Sequence, residues 1–327
     1  MTVALFDLPL AELETYSPEV REPADFDDFW GSTLASAARH DPLLSVSPVD
    51  TGLDLVQTWD VAFTGFDGQP IRAWHSRPAG SRGKALPAVV EYLGYGRGRG
   101  LPVERLVWPC AGFAHLLVDT RGQGGQYGSG GDTPDPVGSG PSGPGFLTQG
   151  LEYPATAYLR RLYTDAARAV DAVKALPDVD GDRVAVVGNS QGGALALVAA
   201  ALTGGVAALM ASAPMLCHVE RTLAITDADP HAEIVRYLSV RRQVADRVLS
   251  SLSYFDGVHF ARRTTAPALF ATGLRDAICP PSGVFAAFNA LTAADKEMVV
   301  YPFNHHEGGD AHHTVRQLAW LRERLTG

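Results

Sequence analysis

Residues 183–202 read RVAVVGNSQGGALALVAAAL, and few folds accept such a stretch. Val184 to Val187 is a short β-branched run between Arg183 and Gly188, as in a buried strand. The segment after Gln191 is rich in alanine and leucine, the strongest helix formers. Between them Gly188-Asn189-Ser190-Gln191-Gly192 fits G-x-S-x-G. A strand that turns so abruptly into a helix holds its central residue in a strained conformation, and flanking glycines permit the close packing. Such a turn lifts the Ser190 hydroxyl above the sheet and aims the Gln191 amide at the same point, so nucleophile and anion-stabilising donor come from one turn. The bland alternative is a glycine-rich turn with an idle serine.

The flanking chain supplies the rest of such a sheet. Residues 1–23 read as irregular, broken by Pro9, Pro18 and Pro23. Asp25 to His40 carries Phe26, Phe29, Trp30 and Leu34 at helical spacing. Leu55–Phe63 and Ile71–Ser76 form a predicted hairpin around Gly65-Phe66-Asp67-Gly68. Strands are expected at Leu86–Leu93, Ala114–Asp119, Val206–Met210, Ala268–Thr272 and Glu297–Tyr301. Helices are expected at Tyr158–Leu176, Val284–Leu291 and Thr314–Leu325. This alternation predicts an α/β fold: a mostly parallel central sheet with helices on both faces. The 327 residues suit one domain, 1–327, with an N-terminal extension over about 1–50 and a helical insertion over about 216–263. The insertion either caps the site or builds a subunit contact, or is an ordinary pair of sheet-covering helices. The Gly/Pro/Ser stretch from Gly125 to Gly150 is too long for filler and reads as functional or interfacial.

Charge and composition exclude several classes. Lys and Arg number 27 against 36 Asp and Glu, a net charge of −9 without a basic run, which argues against a nucleic-acid partner. Cys110, Cys217 and Cys279 are too few and scattered for a disulfide framework, and their apolar or proline-containing surroundings predict buried free thiols. The first residues have no basic start and their apolar run is cut by Asp7, unlike a secretory signal; Ala194–Leu202 is too short to span a bilayer. Cytoplasm is the expected compartment.

A serine hydroxyl needs a base, and the base a carboxylate to fix its tautomer. Two residues lie just past strand ends, where ligand-facing groups of a parallel sheet belong. Asp276 follows Ala268–Thr272, and His306 follows Glu297–Tyr301. Asp276 as a plain turn or cap residue, and His305 as the base, are the alternatives. His305-His306 and His312-His313 fit none of the usual zinc spacings and no acidic cluster joins them, so no metal is expected.

Arg121-Gly122-Gln123, Gly188-Asn189-Ser190-Gln191-Gly192-Gly193 and His306-Glu307 resemble the acetyl xylan esterase / cephalosporin-C deacetylase family, carbohydrate esterase family seven of the α/β-hydrolase superfamily. Trp108-Pro109, Pro144-Gly145-Phe146, Leu252 to Gly257 and Ile278-Cys279-Pro280-Pro281 extend the likeness to the C-terminus. The resemblance implies an α/β-hydrolase fold, Ser190 as nucleophile, Asp276 as acid, His306 rather than His305 as base, and an oxyanion hole from the Tyr95 and Gln191 amides. Tyr95 and Ile278 are expected at the substrate, Ile278 on the acyl side because it lies two residues past Asp276. Arg121 and Gln123 are expected to brace loops. Members are similar in being cytoplasmic and metal-independent, and often hexameric; no cofactor is expected. Leu93 stands where members usually have histidine and Asn189 where many have glycine, and both bear on pocket polarity. The expected reaction is hydrolysis of small acyl, chiefly acetyl, esters of sugars and related alcohols, such as acetylated xylo-oligosaccharides or cephalosporin C. The rivals are a hydrolase of peptides, lactones or longer acyl esters, and a non-catalytic binding protein on the same fold.

Overall fold

The computed structural model describes residues 6–138, 140 and 142–326. Residues 1–5 of the expected extension, and Ser139 and Pro141 of the glycine-rich stretch, lie outside the described residues. The chain opens with a short helix α1 (Leu10–Leu13), helix α2 (Phe26–Ala37) and strands β1 (Leu43–Val49), β2 (Val56–Thr64), β3 (Pro70–Pro78) and β4 (Leu86–Tyr92). A short α3 (Val107–Cys110) and β5 (Ala114–Val118) come next, then α4 (Tyr158–Ala175), β6 (Val179–Asn189), α5 (Gln191–Thr203) and β7 (Ala208–Ser212). The insertion holds α6 (Val219–Ile225), α7 (His231–Val240), α8 (Ala245–Leu252) and α9 (Gly257–Ala261). The chain ends with β8 (Ala268–Gly273), α10 (Pro281–Ala290), β9 (Lys296–Tyr301) and α11 (Asp310–Leu325).

The strands of the described residues form one sheet in the order β1-β2-β3-β5-β4-β6-β7-β8-β9. The pairs from β1 to β5 are antiparallel, and those from β5 through β4 to β9 are parallel. The expected α/β fold with a mostly parallel sheet is therefore found. The path from β4 runs outward to β5 and then returns to β6 on β4's other side. Ligands in open α/β sheets bind at such a reversal, outside the carboxyl ends of the strands. Tyr95 follows β4 and Ser190 follows β6.

One face is covered by α2, α4, α5, α9 and α10, whose Trp30, Leu162, Leu197, Phe260 and Ala287 join the main core. The other face carries a smaller core in which Trp108 and Phe113 meet Trp320, Leu321 and Leu325 of α11. Helix α5 is buried from Gln191 to Ala200, which explains a helix apolar on all sides.

Three expectations are corrected. The sequence reading places no strand between the Asp25–His40 helix and β2, yet β1 is there; LLSVSPV has no buried face, being an edge strand exposed at its five central positions, where Pro48 is tolerated. β6 begins at Val179 rather than Arg183, as Val179 pairs with Leu86 before a register shift. Cys110 is exposed, at the end of the short α3, while Cys217 and Cys279 are buried free thiols. No helix among the described residues is long and apolar enough to cross a membrane.

Candidate active site

Ser190 sits between β6 and α5 with φ 60° and ψ −122°, the strained geometry the motif requires. The glycines are needed for close approach: a Cβ on Gly188 would lie 2.2 Å from the Gly192 backbone, and one on Gly192 2.3 Å from the Tyr92 carbonyl oxygen. The turn is pinned by Ser190 N donating to the Ser212 carbonyl at 3.0 Å and Met215 N to the Ser190 carbonyl at 3.0 Å.

Asp276 lies past β8 and is fully buried. Its Oδ1 accepts from Ile278 N at 2.8 Å and Cys279 N at 2.9 Å, so one oxygen holds its own loop. Its Oδ2 meets His306 Nδ1 at 2.8 Å. With Nδ1 as donor to a carboxylate, Nε2 carries the lone pair and can act as a base. His305 Nδ1 instead lies 2.9 Å from the Arg275 carbonyl oxygen. His313 Nδ1 lies 3.1 Å from the Tyr301 hydroxyl, and among the described residues no His, Cys, Asp or Glu group is arranged to hold a metal ion.

The structure therefore joins Asp276 to His306 and sets Ser190 at the end of β6, with β7 between it and β8. Among the described residues Ser190 and His306 do not meet in a hydrogen bond; the Ser190 hydroxyl lies 4.0 Å from Cys279 Sγ. Catalytic hydrogen bonds are often long or misaligned in a structure without substrate. Ile278 is half-buried on the Asp276 loop.

Gln123 ties the two expected oxyanion segments together. Its Oε1 accepts from Gly96 N at 2.6 Å, and its Nε2 donates to Gln191 Oε1 at 2.9 Å and to the Tyr158 hydroxyl at 2.9 Å. Neither Tyr95 N nor Gln191 N donates to a carbonyl elsewhere in the described residues, so both amides remain available. Arg121 is fully buried and pairs with Asp165 at 2.5 Å and Asp135 at 3.1 Å. Both members of the Arg-Gly-Gln motif thus brace loops.

The two departures behave differently. Leu93 is 2% exposed and lies beneath the site. Asn189 is exposed and borders a cleft of about 560 Å³, together with Gly94, Ser212, His306, Glu307 and Gln317. Asn189 is therefore the departure that changes a polar surface beside His306.

Sequence reasoning offered an insertion that caps the site as one reading but named none of the residues that reach it. Thr226 Oγ1 donates to the Ala277 carbonyl, and Arg221 Nε donates to Ser282 Oγ at 2.8 Å, so α6 and the turn after it hold the Asp276 loop from outside. His231 is fully buried near Cys279 and Pro280. Burial pushes its pKa down to about 4. Glu233 reaches the Tyr95 side chain. No motif marks these residues, and only the fold brings them to the strand ends. Meanwhile α9 packs on α5 and α10, so the insertion both covers the sheet and reaches the site.

Residues 3–324 match the family model described as acetyl xylan esterase (AXE1). The acetyl xylan esterase from Paenibacillus sp. R4 is 37% identical with a TM-score of 0.90, over 97% of this chain and 100% of that one. Acetyl xylan esterase 1 from Thermoanaerobacterium sp. JW/SL YS485 is 30% identical with a TM-score of 0.88, over 97% and 99%. Acetyl esterase Axe7A of Xylanibacter ruminicola is 28% identical across 316 residues, 95% of this chain and 70% of that protein. A site at the sheet reversal, a strained serine turn and a match over nearly the whole length lead to one conclusion: the chain belongs to the acetyl xylan esterase family and is a carboxylic ester hydrolase of the α/β-hydrolase fold.

Proposed function

We propose that Ser190, His306 and Asp276 carry the hydrolysis of acetyl esters, with the Tyr95 and Gln191 amides as oxyanion hole. The supporting observation is the Asp276–His306 contact at 2.8 Å, made by a buried carboxylate whose other oxygen is held by two backbone amides. This mechanism requires the Ser190 hydroxyl to turn from Cys279 toward His306 Nε2. Nε2 takes the hydroxyl proton as Oγ attacks the ester carbonyl, and Asp276 stabilises the imidazolium that forms. The tetrahedral oxyanion is held by the two amides; losing one such donor costs about 3–4 kcal/mol in barrier. His306 then gives its proton to the departing alcohol. Water repeats the sequence on the acyl-enzyme and releases acetate.

We further propose acetylated xylo-oligosaccharides and cephalosporin-type acetates as substrates, with Tyr95 and Ile278 at the bound ester. The relatives' names support the first. Crowding at Ser190, 6% exposed with Cys279 4.0 Å away, supports a short acyl group. A homo-oligomer, a hexamer by family resemblance, is proposed; apolar side chains exposed along and beside the β1 edge, with Leu55 82% and Leu44 53% exposed, support a subunit contact there. A cytoplasmic location is supported by three cysteines left as free thiols. Turnover of p-nitrophenyl esters of increasing chain length tests the acyl preference. The expected result is a steep fall beyond propionyl; equal or rising turnover with longer chains favours the longer-acyl reading.

A further inference from the structure

Three segments far apart in sequence meet at one carboxylate. Glu233 of α7 is 6% exposed. Its Oε1 accepts from the Tyr95 hydroxyl at 2.5 Å, and its Oε2 accepts from Leu147 N at 3.2 Å. The Tyr95 hydroxyl in turn accepts from Phe146 N at 2.7 Å. The ring of bonds therefore joins the insertion, the loop after β4 and the glycine-rich stretch. The last is shaped for this contact: a Cβ on Gly145 would lie 2.1 Å from Glu233 Cδ. The carboxylate has no cationic partner among the described residues, because the nearby Arg236 is engaged by Asp229 at 2.6 Å. Burial without an ion pair raises the pKa of Glu233, and burial against this carboxylate raises that of Tyr95. A buried carboxyl without a cation is costly, and such costs concentrate at functional sites.

The loop explains what that cost supports. Tyr95 lies between Gly94 and Gly96, and Gly96 has φ +78°. Glycines on both sides leave the peptide little stiffness of its own, so the Tyr95 amide needs anchors from outside. Gln123 supplies one, through Gly96 N. The Tyr95 side chain supplies the other. We propose that Glu233 is a positioning residue for the oxyanion hole: by holding the Tyr95 hydroxyl it fixes the Tyr95 amide, and so makes the insertion part of the catalytic unit. This rests on the proposed role of the Tyr95 amide.

The test uses p-nitrophenyl acetate with Glu233→Gln, Tyr95→Phe and the double variant, each checked for a native thermal melt, beside wild type and Ser190→Ala. Each single substitution is expected to lower kcat about 10- to 100-fold, the effect of misplacing a catalytic group by roughly an ångström, with KM little changed. Because both act through one anchor, the double variant is expected to be no slower than the slower single one. Glu233→Ala is expected to be worse than Glu233→Gln, whose single amide oxygen can accept from Tyr95 or from Leu147 N but not from both. Wild-type kcat in Glu233→Gln, a change confined to KM, or effects that multiply would overturn the proposal while an inactive Ser190→Ala leaves the esterase reading standing. A wild-type protein without acetyl-ester turnover removes both.

Discussion

Asp276 divides its two oxygens between its own loop and His306, and that division makes a sharp prediction. In Asp276→Asn the amide oxygen keeps the Ile278 and Cys279 amides, so the NH2 group faces His306 Nδ1. The imidazole must then accept at Nδ1 and carry its proton on Nε2, where it cannot take the serine proton. A fall of roughly 10⁴-fold in kcat with an unchanged circular dichroism spectrum is expected; a mild defect would mean that the carboxylate does not set the tautomer. Ser190, Asp276 and His306 could be picked out as candidates because parallel strands deliver functional groups at their carboxyl ends. The choice between His305 and His306 was not legible from the residues alone, since adjacent positions share one loop. It required the crossing of the β8 and β9 loops, where a Cβ on Gly273 would lie 2.2 Å from the His305 carbonyl oxygen. Glu233 was not legible either, because its partner lies 138 residues away and no local pattern announces the pair.

At the scale of elements, the serine turn is defined by what packs beneath it. Gly192 faces the Tyr92 and Leu93 backbone at the end of β4, which cannot rotate away as a side chain would. Gly192→Ala is expected to destabilise the protein by about 1–3 kcal/mol in urea melts and to depress esterase activity by shifting the Gln191 amide. Wild-type stability would show that the contact is less rigid than it looks. Most strands and helices were readable from β-branched runs and 3.6-residue periodicity, because they bury one or both faces. β1 escaped because an edge strand held by backbone pairing needs no apolar pattern. The choice between a site-capping and a sheet-covering insertion stayed open because amphipathicity reveals that a helix packs, not against what. Tyr254 and Phe255, before α9, pack on α2 and α4: Trp30 Nε1 donates to the Tyr254 carbonyl at 3.1 Å, and Phe255 lies against Trp30 and Tyr163.

For the whole molecule, the proton balance of the core sets its acid tolerance. His75 and His231 are buried, and burial lowers the pKa of each from 6.5 to about 4. Between those values the unfolded chain binds protons that the fold refuses. Their contribution is therefore fully present above 6.5 and lost as pH falls toward 4, at up to roughly 1.4 kcal/mol per pH unit for each. Asp256 opposes them: burial raises its pKa from 3.8 to about 6, so its effect on stability worsens as pH rises through that window. His231→Gln isolates one of the histidine terms. Between about pH 7 and pH 5 the variant is expected to lose less stability than wild type, by roughly 1–2 kcal/mol; parallel losses would show that His231 is not held neutral. The alternation of strands and helices announced the sheet, but its reversal between β4 and β6 was not written in any one segment. That reversal brings the Tyr95 loop beside the serine turn.

The claim on which all of this depends is that Ser190 is the nucleophile. It is tested most directly by the turnover of p-nitrophenyl acetate by folded Ser190→Ala. The account expects a fall of roughly 10⁴-fold or more in kcat with the melting temperature retained. Turnover near that of wild type in the folded variant would contradict it.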